Sequence, residues 1–288
     1  MKGLVALSLV IAAASAAVDT ENLSVFGYHR RIGIPRTAQI KKFEESLPED
    51  GQRIVGGVVT DISQTPYQAG LIMVFQWIFQ SSCGGCLIST TRVVTAGHCY
   101  DDGDIQAQRF TVVLGSNRLF SGGTRIESTD VVAHPAWDPN TIRNDLAVIR
   151  IPAVATSNVI QPIALPSGAE ISNTFAGEHG LASGFGFTGN NAGIPANQPL
   201  YSVVLPIISN AECVRFYGGW VTATNVCTSG VGGRGTCHGD SGGPLAVVSN
   251  GRRVLVGVTS FGSWNGCEAG DPASFARVSS FVSWLKSV

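Results

Sequence analysis

The sequence predicts an all-β sandwich or barrel, on two observations. From residue 54 onward, short runs rich in Val and Ile alternate with Gly, Pro, Asn or Ser: YQAGLIMVFQWIFQ, RVVTAGH, RFTVVLG, DLAVIRI, YSVVLPIIS, PLAVV and RRVLVGVTSF. Short apolar runs at that spacing, each closed by a turn signal, are the mark of packed antiparallel strands. In addition, 35 glycines against a charged fraction of 14% favour turns and short strands over long surface helices. With 288 residues, 44% of them hydrophobic, the chain can bury one large core or two moderate ones. No internal repeat is visible.

In chain order, the first element is a leader. Lys2 precedes an apolar run from Gly3 to Ala13, and Ala14-Ser15-Ala16 supplies small residues for cleavage. Residues 1–17 are therefore expected to be a signal peptide. A membrane anchor is the alternative, but the run is short for a bilayer and ends in small residues. Residues 18–53 form a polar, cysteine-free stretch ending EDGQR, and the composition changes sharply at IVGG, residues 54–57. The strand-like runs follow. Residues 184–198, GFGFTGNNAGIPANQ, read as a loop. Phe281, Trp284, Leu285 and Val288 recur at helical spacing, which predicts a short C-terminal helix.

A net charge of −1 gives no reason to expect a nucleic-acid partner. In a secreted chain the seven cysteines read as a disulfide set with one left over. Zinc is the competing reading for Cys83 and Cys86, but no second ligand pair follows at zinc-finger distance. The only N-x-S/T acceptor is Asn22, upstream of residue 54.

Three separated segments carry chemistry: VVTAGHC with His98, IRNDLAVI with Asp145, and GDSGGP with Ser241. A serine hydroxyl is a weak nucleophile and needs a base to take its proton, which His98 would supply. That base needs one tautomer and a partner for its transient charge, which Asp145 would supply. The glycines around Ser241 let the backbone turn so that the Gly239 and Ser241 amides can converge on a developing oxyanion. Taken singly, a histidine, a strand-start aspartate or a turn serine would be unremarkable. Together, in the order His, Asp, Ser, the three segments resemble the chymotrypsin-like serine proteases from residue 54 to 288, with lepidopteran larval midgut chymotrypsins matching in VVTAGHC, LFSGGTRI and GTCHGDSGGPL.

The resemblance implies two six-stranded antiparallel β-barrels with the active site between them, in a protease domain of residues 54–288. It implies the bridges Cys83–Cys99, Cys213–Cys227 and Cys237–Cys267. Cys86 is left over and expected as a buried free thiol, with an intermolecular bridge or a reactive sensor as the alternatives. It also implies a zymogen: residues 18–53 are an activation propeptide, cut between Arg53 and Ile54 by a trypsin-like activating protease, after which the Ile54 amine pairs with Asp240. In such a pocket Gly235 would form the floor, with Gly262 and Ala273 as walls and Ser260 beside the substrate strand. An uncharged floor cannot pair with a substrate cation, so cleavage after Phe, Tyr or Leu is expected. Elastase-like and broader, collagenolytic-type specificities stay open. The register leaves Asp271 outside the pocket.

Gly97 stands where the family usually has alanine. The loop GSNRLFSGGTRIES has Glu127 as its one acid, so no calcium site is expected there, nor any other metal or cofactor. From Ile54 onward Lys286 is the one lysine among 12 basic residues. That bias suits an alkaline medium, because arginine holds its charge where lysine begins to lose it. The expectation is a monomeric, secreted digestive enzyme of a gut lumen, acting on protein or peptide substrates and open to protein protease inhibitors, with neither membrane nor nucleic acid as partner. The competing class is a non-catalytic protease homologue that binds without cutting. Such homologues typically lose the serine or the histidine, and all three of His98, Asp145 and Ser241 are present here.

Overall fold

A computed structural model of the chain describes residue 25 and residues 27–46, 60–190, 199–263 and 265–288. The expected leader, Asn22, Arg53 and Ile54 lie outside these residues. Ahead of the sheets, a wide helical turn His29–Gly33 runs into helix α1, Ile34–Glu45. Pro35 sits in the first turn of α1, where its missing N–H has no partner to lose.

The first sheet contains β1 (Gln68–Phe75), β2 (Phe79–Ser89), β3 (Arg92–Thr95), β4 (Arg109–Leu114), β5 (Thr124–Ser128), β6 (Val131–Ala133) and β7 (Ala147–Arg150). Its order is β5-β4-β1-β2-β3-β7-β6 with antiparallel pairing throughout. The second sheet contains β8 (His179–Gly184), β9 (Tyr201–Ile208), β10 (Asn225–Thr228), β11 (Pro244–Ser249), β12 (Arg252–Phe261) and β13 (Ala273–Arg277). It closes as a six-stranded barrel, β10-β13-β12-β11-β8-β9. The architecture is thus the all-β pair of barrel-like sheets that the sequence implies, with a seventh strand on the first sheet and closure only in the second.

Each sheet wraps its own core. Leu71, Met73, Phe110, Val112 and Leu114 fill the first, and Leu205, Val226, Leu245, Val254 and Phe275 the second. A third cluster joins them. Val94, Leu146 and Val148 of the first half pack against Leu255 and Val258 of the second, closed by Phe281 and Leu285. Burying each such side chain stabilises the fold by about 1.5–3 kcal/mol relative to leaving it exposed. That seam sets the two halves edge to edge and fixes where their loops meet.

The expected C-terminal helix is present as α3, Val282–Ser287, after a tight turn Val278–Phe281. Six residues are too few for a helix to persist alone, so its packing on the seam holds it. Helix α2, Asn210–Tyr217, was not anticipated. Its signal is the S-N-A-E box, in which Ser209 Oγ accepts from the Glu212 amide and Glu212 reaches back to the Ser209 amide.

The three disulfides are Cys83–Cys99, Cys213–Cys227 and Cys237–Cys267. In the chain-entropy account, loops of this size contribute about 3 kcal/mol each. Cys86 is free and buried, and burial holds its thiol pKa well above the usual value.

Candidate active site

The site lies where the seam opens. His98 sits in the tight turn Gly97–Cys99 directly after β3, and the Cys83–Cys99 bridge ties that turn to β2. Asp145 lies just before β7, the neighbour of β3, so strand pairing brings the two side chains together. Asp145 accepts three hydrogen bonds. Its Oδ1 takes the His98 amide at 2.9 Å, and its Oδ2 takes His98 Nδ1 at 2.9 Å and Ser260 Oγ at 2.5 Å. Both His98 and Asp145 are buried. The bond at Nδ1 fixes the tautomer that leaves Nε2 free to act as a base.

Ser241 lies two residues after Gly239, at φ +98°, and directly before Gly242, at φ +78°. Both values belong to glycine's range. Any Cβ on Gly242 would also run into Thr95 Oγ1 and the Gly84 carbonyl. The Ser241 carbonyl accepts the Gly84 amide at 2.7 Å, so β2 anchors the turn.

The dyad itself is not joined. His98 Nε2 is buried and has no hydrogen-bond partner. Tyr28, from ahead of α1, occupies the space instead. Its hydroxyl donates to the Ser82 carbonyl at 2.7 Å, the Ser241 side chain is a further hydrogen-bond partner, and its ring stands edge-on to the His98 ring at 5.5 Å. Burial pushes the Tyr28 pKa up to about 12. Nothing in the polar composition of residues 18–53 signalled this contact.

Asp240 points away from Ser241. Its Oδ1 accepts the Gly186 amide at 2.7 Å and its Oδ2 the Cys237 amide at 2.9 Å. Burial pushes its pKa up, while those two amides and the nearby Arg36 guanidinium pull it down. Beside it opens a cavity of about 200 Å³, also lined by Ala182, Gly184, Gly186 and Tyr201.

A second cavity runs beside Ser241. Gly235, Ser260, Gly262 and Ala273 line it together, as the sequence reading grouped them. One detail differs from that reading. Asp271 lines the same cavity although the register left it outside; its carboxylate accepts from Asn265 Nδ2 at 3.2 Å. Ser260 lines the cavity as well, and its hydroxyl donates to Asp145. A contact this long in sequence, 115 residues, leaves no local trace.

Gly97 has a definite reason to be glycine. A Cβ there would lie 2.9 Å from the Trp137 ring and 3.2 Å from the Leu146 amide. Trp137 is held by its Nε1–H donating to the Asp101 carbonyl at 3.1 Å. Cys83, His98 and Cys99 bring potential metal-binding atoms within 4.8 Å of one another, but both sulfurs belong to one disulfide, so the cluster is no cation site.

Comparison with known proteins agrees with this geometry. Residues 54–285 match the family model described as Trypsin. The chain is 37% identical to a collagenase of Hypoderma lineatum over 81% of this chain and 86% of that protein. It is 38% identical to brachyurin of Leptuca pugilator, over 81% of this chain and 97% of that one. A chymotrypsin-like elastase family member 1 of Bos taurus is 36% identical over 84% of this chain and 92% of its own. Among solved structures, HL collagenase superposes with a TM-score of 0.73 at 34% identity, covering 81% of this chain and 97% of that one.

Proposed function

Because the chain belongs to the trypsin family of serine proteases, we propose that it is a secreted zymogen which, once cut after Arg53, hydrolyses peptide bonds following large apolar residues. As a serine endopeptidase it acts on protein substrates. The finer reading is supported by one observation above all: the cavity beside Ser241 has Gly235 where a cationic side chain would need a carboxylate.

In this reading Ser241 attacks the carbonyl and His98 Nε2 takes its proton, later returning it to the leaving amine. Asp145 holds the imidazole and offsets its positive charge. The amides of Gly239 and Ser241 meet the developing oxyanion. The Ile54 amine enters the cavity beside Asp240 and pairs with its carboxylate, which sets the Ser241 turn. A digestive role in an alkaline gut fits the near absence of lysine after residue 54.

A second reading rests on Asp271. Asp271 is an acid among the residues that line the cavity, and the relatives named collagenase and brachyurin keep a broader specificity open. A panel of substrates with Phe, Leu, Ala or Arg before the scissile bond, assayed on the cleaved enzyme, decides. Phe or Leu should lead in kcat/KM by at least about tenfold over Arg, the effect of one unpaired polar contact worth about 1.4 kcal/mol. Arg in front overturns the apolar-pocket reading and moves the assignment to Asp271. Labelling by a fluorophosphonate, lost in Ser241→Ala, checks the nucleophile itself and separates an enzyme from a binding homologue.

A further inference from the structure

The segment ahead of the protease domain does more than await removal. Tyr28, His29, Arg36 and Glu44 are all buried. His29 donates its backbone N–H to Asp102 Oδ2 at 2.9 Å, and its ring spans Ser81 Oγ and the His98 carbonyl, at 2.9 and 3.0 Å. Arg36 donates to the Phe185 carbonyl and to Ser82 Oγ, with its guanidinium 4.8 Å from the centre of the Phe187 ring. It fills the space that a Cβ on Gly239 would need. Glu44 caps the loop after β4, accepting the Leu119 and Phe120 amides at 2.8 Å each and Ser121 Oγ at 3.2 Å. The contacts fall on both halves of the molecule and run across the line between His98 and Ser241.

We propose that residues 25–46 are a cleft-filling inhibitor of this protease, one that stays bound without a covalent link after the chain is cut and is inhibitory when added to the mature enzyme. The proposal rests on the catalytic reading given above for which groups are blocked, but not for whether the segment binds.

Three features favour an inhibitor over a mere tether. The segment contains no cysteine, so nothing but these contacts can retain it. Its backbone is helical from Tyr28 onward, with the Gly27 and His29 carbonyls engaged by the Arg31 and Ile34 amides. A helical backbone does not offer an extended bond to Ser241, which explains how a chain with Tyr28 at the nucleophile can escape being cut there. Finally, two of its polar anchors are fully matched in the groove. The Glu44 carboxylate meets three donors, and the neutral His29 ring donates through one nitrogen and accepts through the other. Groups so matched lose their partners when the segment leaves, which slows departure.

The full chain is cut after Arg53 with immobilised trypsin, the mature enzyme is purified from the segment, and a synthetic peptide of residues 25–46 is added back. The expected result is reversible inhibition, relieved by dilution, with the peptide intact by mass spectrometry. A Tyr28→Ala peptide should inhibit at least about tenfold more weakly, as expected of a buried aromatic anchor, and a Glu44→Gln peptide should be weakened less. Full activity in the presence of native peptide at a hundredfold excess over enzyme overturns the proposal, as does rapid cleavage of the peptide at Tyr28. Equal inhibition by the native and Tyr28→Ala peptides overturns it as well. If the mature enzyme shows no hydrolysis, the catalytic reading fails separately. Fluorescence anisotropy of a labelled peptide then decides alone: saturable binding that Tyr28→Ala weakens upholds the segment's role as a cleft ligand, and no binding removes it.

Discussion

Asp145 and Asp240 are aspartates of the same site, one from each half of the molecule, and they are held in opposite ways. Asp145 has the base itself as a partner, along with the His98 amide and Ser260 Oγ. Asp240 takes its hydrogen bonds from two backbone amides, and its nearest help from a positive charge is Arg36 of the leading segment. A carboxylate removed from water without a paired cation is costly, and burial accordingly raises the Asp240 pKa. The first half therefore presents a completed base. The second presents a carboxylate beside an open cavity, and His98 Nε2 without a partner shows that the halves are not yet coupled. In the proposed reading, activation is work on the second half: supply a cation to Asp240 and clear Tyr28 from Ser241.

Substitutions can break this contrast. Asp145→Asn in the cleaved enzyme should lower kcat by about 10⁴, because an amide facing Nδ1 favours the wrong imidazole tautomer, with KM little changed. A loss under tenfold would mean that Asp145 does not set the tautomer. Asp240→Asn should cost less, about 10²–10³ in kcat/KM, the range expected when one partner of a buried ion pair is removed. The uncleaved chain should be nearly indifferent to the same change, since in the proposed reading the Ile54 pair forms only after cleavage. Comparing fluorophosphonate labelling rates before cleavage and after cleavage with the segment removed measures this difference. If Asp240→Asn gains activity on cleavage as the native chain does, Asp240 is a turn residue and the contrast with Asp145 falls.

The strands and the three catalytic segments were legible because their signals are local. Val- and Ile-rich runs between turns announce strands, and GDSGGP packs the nucleophile, its glycines and Asp240 into six residues. The misses lie where meaning depends on distant partners. In α1 the inward positions are Arg36, Thr37, Ile40 and Glu44. Three of the four are polar, so no apolar stripe marks the helix, and Glu44 makes sense only against loop amides 75 and 76 residues away. Asp271 was misplaced for a different reason: its neighbour Pro272 fixes the chain register, but register along a strand does not say which atoms of the preceding residue line a cavity. Helix α2 had a readable capping box, but its eight residues fell inside what reads as β-rich sequence.

Gly97 tests how finished the first half is. The resemblance puts alanine at this position, and a single methyl group looks harmless from sequence. In this molecule the methyl would meet the Trp137 ring on one side and the Leu146 amide, next to Asp145, on the other. Either the ring or the backbone beside Asp145 must move. Overpacking of this kind costs about 1–3 kcal/mol, and for a domain of this size each kcal/mol lowers Tm by about 2–4 °C. Gly97→Ala should therefore lower Tm by several degrees, with kcat falling in step only if the Leu146 side yields. Trp137→Leu opens space over the same site, at the expense of the indole bond to Asp101. Combined with Gly97→Ala it should recover part of the lost Tm, a coupling that a double-mutant cycle isolates because the two side chains touch. Strict additivity would mean that Trp137 is not what keeps residue 97 bare, and the fit of the base turn in the first half would need another cause.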